Sequence, residues 1–400
     1  MKLLKEYAYY PTDRIDISSL DRKTYIGVDN ILKNKEGICE SEYLPRSGTF
    51  TKFKRGDVLI GNIRPYFKKI WLATFAGGAS ADVVVLRPKN IENSMFIYCN
   101  LMQDSFFDYV MSGYKGSKMP RGDKNHILNF PIPDINNKHE IAKLIYKFGE
   151  KINVNKRIND NLYQQIQTIY DYWFTQFDFP DKDGKPYHSS GGEMVHSNVL
   201  NREIPLGWTV GSIVNNPLSS VIKPGVYLFD SKEYLATSEV NGTNISKGSI
   251  VEYSTRESRA NMQPTVNSVW FAKMKNSVKH LYLNKEMKSL IDNTILSTGF
   301  CGIQCTDRSF EYISSFVGSI YFETLKDILS HGATQEAVNN DDMESICFPI
   351  PSESVLKKYH ELTRDMYAQI SKNVSENRIL TELRDWLLPM LMNGQVTIAD

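Results

Sequence analysis

The stretch Phe130-Pro131-Ile132-Pro133 occurs again as Phe348-Pro349-Ile350-Pro351, 218 residues later, and a long run with helical spacing follows each copy. The two halves of the chain also match upstream of this motif. The matched pairs are Ser80 with Ser297, Asp57 with Ser268, and Tyr25 with Tyr234, at offsets of 217, 211 and 209 residues. Small loop insertions between two copies of a whole domain produce such a drift, and the period is far longer than that of solenoid repeats. The sequence therefore predicts an internal duplication with pseudo-two-fold symmetry.

The runs after the two motif copies place apolar or polar seam residues at alternating steps of four and three. The first run contains Ile141, Ile145, Phe148, Ile152, Asn155, Asn159, Leu162, Ile166, Ile169 and Trp173. The second contains Val355, Tyr359, Leu362, Met366, Gln369, Asn373, Glu376, Leu380, Leu383, Leu387 and Met390. This spacing is typical of a coiled-coil seam, in which a buried Asn fixes register. We expect one antiparallel pair of helices; the alternative is that each helix covers only its own domain.

The segments outside the helices combine strand and helix patterns. Short apolar runs bounded by turn residues predict strands over 25–28, 57–61 and 82–88, and apolar spacing predicts a helix over 94–111. The predicted fold class is α/β (α+β), with two similar globular domains separated by two long helices that form an antiparallel coiled coil. The predicted divisions are a first domain at 1–136, a helix at 137–178, a linker at 179–203, a second domain at 204–352 and a helix at 353–394.

The charge of the chain is nearly balanced, with 47 basic and 46 acidic residues. Phosphate neutralisation supplies most of the sequence-independent affinity for duplex DNA, so the chain alone is not expected to bind DNA tightly. The basic excess is concentrated in residues 1–136, and residues 181–349 carry an acidic excess. There is no signal-peptide centre and no apolar run of membrane length, and the five cysteines are scattered. We therefore expect a cytoplasmic protein with reduced thiols and no membrane contact.

The sequence lacks the motifs of common catalytic and cofactor sites. It has no glycine-rich dinucleotide fingerprint, phosphate loop or zinc-protease helix, and its seven histidines do not cluster at ligand spacing. Asp181 and Asp183 resemble part of a nuclease set, but one intervening residue is too few for the strand hairpin that would bring both acids to one metal. We predict no catalytic residue, no metal and no cofactor.

Two segments of the first half suit contacts with nucleic acid. Seven basic residues between Arg46 and Lys69 face one acid, Asp57, and alternate with aromatic residues, and a second basic loop follows at 115–121. Such patterns fit phosphate and base-edge contacts, and a solvated charged face is the alternative for either segment alone. The corresponding part of the second half is less basic and richer in amides. The candidate DNA-binding residues are Arg64, Lys68, Lys69, Ser117, Lys118 and Arg121 in the first half, and Lys273, Lys275, Thr334 and Gln335 in the second.

Several motifs, in chain order, resemble those of the specificity subunit of Type I restriction-modification systems. They are Gly56-Asp57-Val58-Leu59, Ile63-Arg64-Pro65-Tyr66-Phe67-Lys68-Lys69, the 116–123 loop, Phe130-Pro131-Ile132-Pro133, Ile204-Pro205-Leu206-Gly207-Trp208 and Leu387-Leu388-Pro389-Met390-Leu391-Met392-Asn393-Gly394. The resemblance covers nearly the whole chain. It departs in the second domain, where Lys273-Met274-Lys275-Asn276 replaces the Asn62-Ile63-Arg64-Pro65 of the first.

The resemblance implies two target-recognition domains, each reading one half of a bipartite sequence in double-stranded DNA, with the helices setting the spacer. It also implies assembly with two modification subunits, which are S-adenosylmethionine-dependent adenine-N6 methyltransferases, and with a restriction subunit that is a motor and nuclease. Those partners would supply all catalysis. A duplicated-domain scaffold without a nucleic-acid role is the competing hypothesis, because the near-zero net charge also fits it. A complete methyltransferase is a further alternative that would need a cofactor pocket in this chain.

Overall fold

The computed structural model describes residues 1–114, 119–332, 336–339 and 341–396. The chain divides into two units, each with its own hydrophobic core. The first unit contains Met1–Lys151 and the chain from Leu380 onward, and the second contains Ile152–Ile379. Both long helices therefore contribute residues to both units. The domain limits at 136, 203 and 352 stay predictions.

The first unit is a mixed α/β fold. Its strands are β1 (Lys2–Leu3), β2 (Ala8–Tyr9), β3 (Arg14–Asp16), β4 (Tyr25–Ile26), β5 (Thr49–Phe53), β6 (Val58–Gly61), β7 (Ile70–Leu72), β8 (Gly77–Ala79), β9 (Val83–Pro88) and β10 (Pro131–Ile132). Its helices are α1 (Leu4–Tyr7), α2 (Ser94–Leu101), α3 (Asp104–Ser112), α4 (Lys124–Leu128) and the start of α5 (Lys138–Tyr170). The larger sheets have the orders β2-β9-β6-β7 and β3-β5-β8-β4.

The second unit repeats this architecture. Its strands are β11 (Met194–Ser197), β12 (Arg202–Pro205), β13 (Thr209–Ser212), β14 (Ser219–Val221), β15 (Ser231–Leu235), β16 (Val240–Asn241), β17 (Asn244–Ile245), β18 (Ser249–Glu252), β19 (Ala260–Met262), β20 (Ser268–Ala272), β21 (His280–Leu283), β22 (Thr294–Ser297), β23 (Phe300–Cys305) and β24 (Cys347–Ile350). Its helices are α6 (Lys288–Asn293), α7 (Phe310–Val317), α8 (Ile320–Leu329) and most of α9 (Glu353–Met392). The larger sheets have the orders β14-β23-β20-β21 and β18-β15-β22-β19.

The two units share one strand ladder. Equivalent central positions, first unit before second, are Val58 and Val269, Leu72 and Tyr282, and Leu86 and Ile303. Their offsets are 211, 210 and 217 residues, which is the drift that the sequence motifs show. Tyr25 also pairs in parallel with Gly78. Tyr234 pairs in parallel with Ile295, so the predicted duplication is confirmed in the strand pairing of both units.

The central strands form because their apolar side chains are buried on both faces of the sheet. Val84 and Leu86 of β9 lie in the cluster that includes the apolar residues of α2 and α3. Val83 and Val85 point to the opposite face and join a separate cluster with Phe53 of β5. Alternation of side chains along a strand produces this division, and strands covered on both faces carry continuous apolar runs. The central strands β6 and β9 are thus packed on both faces.

Within the second unit, α5 and α9 run antiparallel. The side-chain amide of Asn155 donates to Oδ1 of Asn377 at 2.9 Å, and that of Asn373 donates to Oδ1 of Asn159 at 2.8 Å. Later residues of α5 therefore contact earlier residues of α9, and all four side chains are buried. Buried amides that satisfy one another fix the register of a helix pair. The predicted contact between the two polar centres is present.

The predicted seam fits α5 and is displaced by one residue along α9. Ile145 and Ile152 are buried, as are Asn155 and Asn159, and Leu162 is half-buried. On α9, Asn373 is buried and Met366 half-buried, but the predictions for Leu362 and Leu383 are wrong, because these side chains are 48% and 40% exposed. The buried run there is Thr363, Tyr367, Ile370, Val374 and Asn377, still in four-three spacing.

The packing of α9 against α7 explains this displacement. The hydroxyl groups of Tyr359 and Tyr367 both hydrogen-bond Oγ of Ser315 in α7, at 2.8 and 2.9 Å. A buried tyrosine hydroxyl needs such a partner, so these two residues fix which face of α9 points inward. The contacts of α9 with α7 therefore determine which face of α9 is buried.

Candidate nucleic-acid interface

In the first unit, the two segments predicted to contact DNA lie side by side. The first loop, residues 62–69, connects β6 and β7, and its partner segment is residues 119–123. The backbone N–H of Arg64 donates to the carbonyl of Pro120 at 2.9 Å. Ile63 forms an antiparallel bridge with Arg121. The fold thus joins two basic segments that are far apart in the sequence.

The backbone of the first loop presents Arg64 and Tyr66 to solvent. Arg64 and Lys68 both adopt left-handed backbone conformations, with φ of 51°, on either side of the short 3-10 turn Pro65–Phe67. Such conformations cost a non-glycine residue roughly 1–3 kcal/mol and persist where the surroundings hold them. Arg64 is exposed and Tyr66 is 49% exposed. The guanidinium group of Arg64 and the ring of Tyr66 are therefore both exposed at the same turn.

Arg121 of the partner segment is also available at this surface. Its side chain is 60% exposed, and Nη2 lies 3.1 Å from Oδ1 of Asp82. Exposed ion pairs contribute little to stability, so a phosphate or a base edge can replace the carboxylate at small cost. Arg64 and Arg121 are the two predicted arginines of this unit, and the backbone pairing brings their positions together.

The two lysines that end the first loop have different environments. Nζ of Lys68 lies 2.8 Å from a carboxylate oxygen of Asp104, and its side chain keeps 31% exposure. The prediction that Lys69 contacts DNA is wrong, because its side chain is buried and its ammonium donates to the carbonyl of Val28 at 2.7 Å. Burial also lowers the pKa of Lys69. Lys69 immediately precedes β7, where the strand directs its side chain inward.

Asp57, the one acid within the first basic stretch, does not reach the surface. It is 2% exposed, accepts the backbone N–H of Lys54 at 2.9 Å and pairs with Arg87 at 2.9 Å. Arg87 also contacts Asp13 at 2.8 Å. The Gly56-Asp57 motif is therefore structural, since it ties the turn before β6 to β9. Because Lys69 is buried as well, the exposed residues of this stretch keep the basic excess that the sequence indicates.

The second unit has an equivalent pair of segments. The second loop, residues 273–279, connects β20 and β21, and its partner segment is residues 336–339. Met274 forms an antiparallel bridge with Ala337, as Ile63 does with Arg121 in the first unit. The backbone N–H of Lys275 donates to the carbonyl of Glu336 at 3.0 Å. The duplication therefore extends to the loops that carry the candidate contacts.

In this second pair, one lysine of the loop is matched by an acid of the partner segment. Nζ of Lys275 lies 3.0 Å from Oε2 of Glu336, and Lys273 is half-buried, with its backbone N–H donating to the carbonyl of Gly299 at 3.0 Å. The most exposed residues of the second loop are apolar or amide, among them Val278 and Asn276. Four further candidates, Ser117, Lys118, Thr334 and Gln335, lie outside the described residues.

The described residues were also compared with the requirements of metal and membrane sites. Across the described ranges, no group of three or more His, Cys, Asp or Glu side chains is arranged to hold a metal ion. None of the helices in the described part of the chain is both long and apolar enough to cross a membrane. All five cysteines are free thiols, and burial raises the pKa of Cys99 and Cys301 to about 12.

Each unit of this duplicated fold thus carries one pair of loops at the equivalent place. No family model matches the sequence. The chain is 23% identical over 330 residues to the Type I restriction enzyme MjaIX specificity subunit of Methanocaldococcus jannaschii, covering 78% of this chain and 71% of that protein. It is also 23% identical over 446 residues to the HindI specificity subunit of Haemophilus influenzae, covering 96% of each. The resemblance found in the sequence motifs is confirmed, since the chain is similar to two Type I restriction enzyme specificity subunits over 78% and 96% of its length.

Solved structures also span the chain. A Type I restriction-modification S subunit from M. genitalium aligns over 97% of this chain and 94% of its own, with 13% identity and a TM-score of 0.48. A corresponding subunit from Thermoanaerobacter tengcongensis aligns over 99% of this chain and 96% of its own, with 15% identity and a TM-score of 0.34.

Proposed function

We propose that this chain recognises a bipartite sequence in double-stranded DNA, with the first unit reading one half and the second unit reading the other. The observation that carries the proposal is the repeated backbone pairing, Ile63 with Arg121 and Met274 with Ala337, at equivalent places in two equivalent ladders. Unlike side chains on matching scaffolds suit two different half-sites, because base identity is read by the side chains that reach the groove.

The contact residues proposed in the first unit are Arg64, Lys68 and Arg121, together with Ser117 and Lys118. Arginine suits bidentate contacts with guanine, and lysine or serine suits phosphate oxygens. The contact residues proposed in the second unit are Lys273, Lys275, Thr334 and Gln335. Lys69 is left out of this set, because its ammonium is engaged inside the first unit.

The nearly neutral charge of the chain supports action within a larger assembly. With a net charge of +1, the chain offers few surplus cations for phosphate neutralisation, so partner subunits must supply much of the general DNA affinity. We propose two modification subunits, which catalyse adenine-N6 methylation, and a restriction subunit with motor and nuclease activity. The complex would work in the cytoplasm on duplex DNA. The long helices would set the spacer between the half-sites and dock the modification subunits.

Mixing experiments test this proposal. The purified chain, a cognate modification subunit and labelled S-adenosylmethionine are assayed separately and together on genomic DNA. We expect adenine methylation only in the mixture, at a sequence with two specified halves and an unspecified spacer. Methyl transfer by the purified chain alone would contradict the proposal.

The scaffold hypothesis gives a different result in the same assay. A duplicated scaffold predicts that the chain neither changes the methylated sequence nor adds salt-dependent DNA affinity to the mixture. A modification subunit that methylates the same sequence with and without this chain would therefore support the scaffold and exclude the recognition role.

A further inference from the structure

A buried lysine of the second unit is bonded to the candidate recognition loop. Lys326 of α8 is 0% exposed, and its ammonium donates to the backbone carbonyl of Ser277 at 3.1 Å and to Oε2 of Glu323 at 2.6 Å. The other carboxylate oxygen of Glu323 lies 2.8 Å from Nε2 of His280. Burying a charge is costly unless it is paired and hydrogen-bonded. One of the bonds that satisfy this charge is made to the second loop.

Asp327, the next residue of α8, contacts the second loop at Asn276, the residue with a left-handed backbone. Asn276 has a left-handed backbone, with φ of 55°, and its N–H donates to Oδ1 of Asp327 at 3.0 Å. Lys326 and Asp327 therefore bind the backbone of two consecutive loop residues, one through its carbonyl and one through its N–H. A strained turn that is held from both sides keeps one conformation.

In the first unit, the helix side chain that contacts the first loop is the carboxylate of Asp104. Asp104, the first residue of α3, lies 2.8 Å from Nζ of Lys35 and 2.8 Å from Nζ of Lys68. Lys68 is one of the two left-handed residues of the first loop. The backbone N–H of Lys35 also donates to the carbonyl of Lys68 at 3.0 Å. In both units a helix residue thus contacts the recognition loop, through the side chain of Lys68 in the first unit and through the loop backbone in the second.

Both carboxylates are kept ionised for this role. Burial raises the pKa of Asp104, but hydrogen bonds from Lys35 and Lys68 more than offset it, so the pKa lies below its ordinary value. Burial likewise raises the pKa of Glu323, and hydrogen bonds from His280 and Lys326 bring the net shift below the ordinary value. The holding contacts therefore persist across the neutral pH range.

We infer that Asp104 in the first unit, and Lys326 with Asp327 in the second, are positioning residues that determine half-site selectivity without touching DNA. The inference rests on the proposed function. Base discrimination requires side chains held within a narrow range of positions, so release of a loop turn lowers selectivity before it lowers general affinity. Each positioning residue should affect only the half-site of its own unit.

The test uses the full chain with its modification subunit and measures methylation of duplexes that carry single base changes in either half. Asp327→Ala should lower discrimination in the second unit's half-site about tenfold, a change that corresponds to about 1.4 kcal/mol, and leave the other half-site unchanged. Asp104→Ala should do the reverse. Asp327→Asn keeps an acceptor oxygen for the Asn276 N–H and should retain selectivity.

Acids of the same units that do not pair with a recognition loop serve as controls; Asp104 is itself 59% exposed, so the controls differ from it in their contacts and not in their exposure. Asp292→Ala removes a carboxylate that is 53% exposed and pairs with Lys288 on α6, and Asp108→Ala removes an exposed acid of α3. Neither should change selectivity. If Asp327→Ala and Asp104→Ala lower thermal stability but leave discrimination intact, the residues are merely structural and the inference fails. A wild-type complex without selectivity for either half would instead overturn the proposed function.

Discussion

The two recognition loops occupy the same place in two matching ladders and present different chemistry. The first loop exposes Arg64 and Tyr66 beside Arg121, whereas the second pairs Lys275 with Glu336 and exposes Val278. The strand ladder therefore determines the position of each loop, and the loop side chains differ between the units. Binding loops on a rigid fold commonly vary in this way. We expect the first half-site to depend more on charge and the second more on shape and neutral contacts.

The largest expected effect comes from lengthening both helices, which tests whether the helices set the spacer while each loop still reads its own half-site. One heptad added to α5 near Asn155 and one to α9 near Asn373 preserves the four-three register and extends the pair by about 10 Å. We expect a nonspecific spacer about two to three base pairs longer, with both half-sites unchanged. Sequencing of methylated DNA gives both quantities. An active variant with its original spacer would show that the helices do not set the distance.

The displaced seam of α9 gives the next largest effect and concerns the second unit alone. Ile370 is 1% exposed, so Ile370→Ala should lower the free energy of unfolding by about 2–5 kcal/mol. Leu362 is 48% exposed, and Leu362→Ala should change it by no more than about 0.5 kcal/mol. Denaturant titration compares the two. Equal losses would restore the seam predicted from the sequence.

Substitution of Lys69 tests whether this lysine is structural, in contrast to the proposed contact residue Lys68. Lys69→Met removes the donor to the Val28 carbonyl and should lower the free energy of unfolding by about 1 kcal/mol, because a half-buried acceptor loses its partner. Selectivity of the folded variant should equal that of the wild type. Thermal denaturation and duplex methylation measure the two effects. Reduced selectivity without lost stability would return Lys69 to the set of DNA contacts.

The smallest effects compare single cations of the two loops. Arg64→Ala should lower the slope of log affinity against log salt by about 1 if Arg64 holds a phosphate, or cost about 1–3 kcal/mol of discrimination at one base pair if it holds a base edge. Lys275→Ala should change the slope less, since Glu336 already neutralises Lys275. Binding isotherms of the assembled complex at several salt concentrations distinguish these results. A larger change for Lys275 would reverse the proposed difference between the loops.

The sequence predicted what repeats and what is periodic. The drift of matched residues located the duplication, and four-three spacing located both helices, which begin at Lys138 and Glu353. These features are visible because each depends on many residues that agree. The prediction of which α9 residues are buried was wrong at Leu362, because an apolar residue was preferred there to the polar Thr363. Tertiary packing around Tyr359 and Tyr367 determines the buried face instead.

The recognition surface was only partly accessible from the sequence. Local charge density selected Arg64 and Arg121 as candidates, and both are exposed. It could not distinguish Lys68 from Lys69, because one step along the chain at the start of a strand changes the side of the sheet. No pattern in the sequence pointed to Asp104 or Lys326 as functional residues. Their role depends on contacts with loops that are remote in sequence, and neither lies in a motif or a charge cluster.

The central claim is that each unit reads one half of the target by itself, and an exchange of domains tests it most directly. Residues 1–136 are replaced by the equivalent domain of another Type I specificity subunit, and the methylated sequences of cells that carry the hybrid and its modification subunit are determined. The exchange point lies just before α5, which begins at Lys138. We predict that one half-site changes to that of the donor, while the other half-site and the spacer remain. A change in both half-sites would contradict the account.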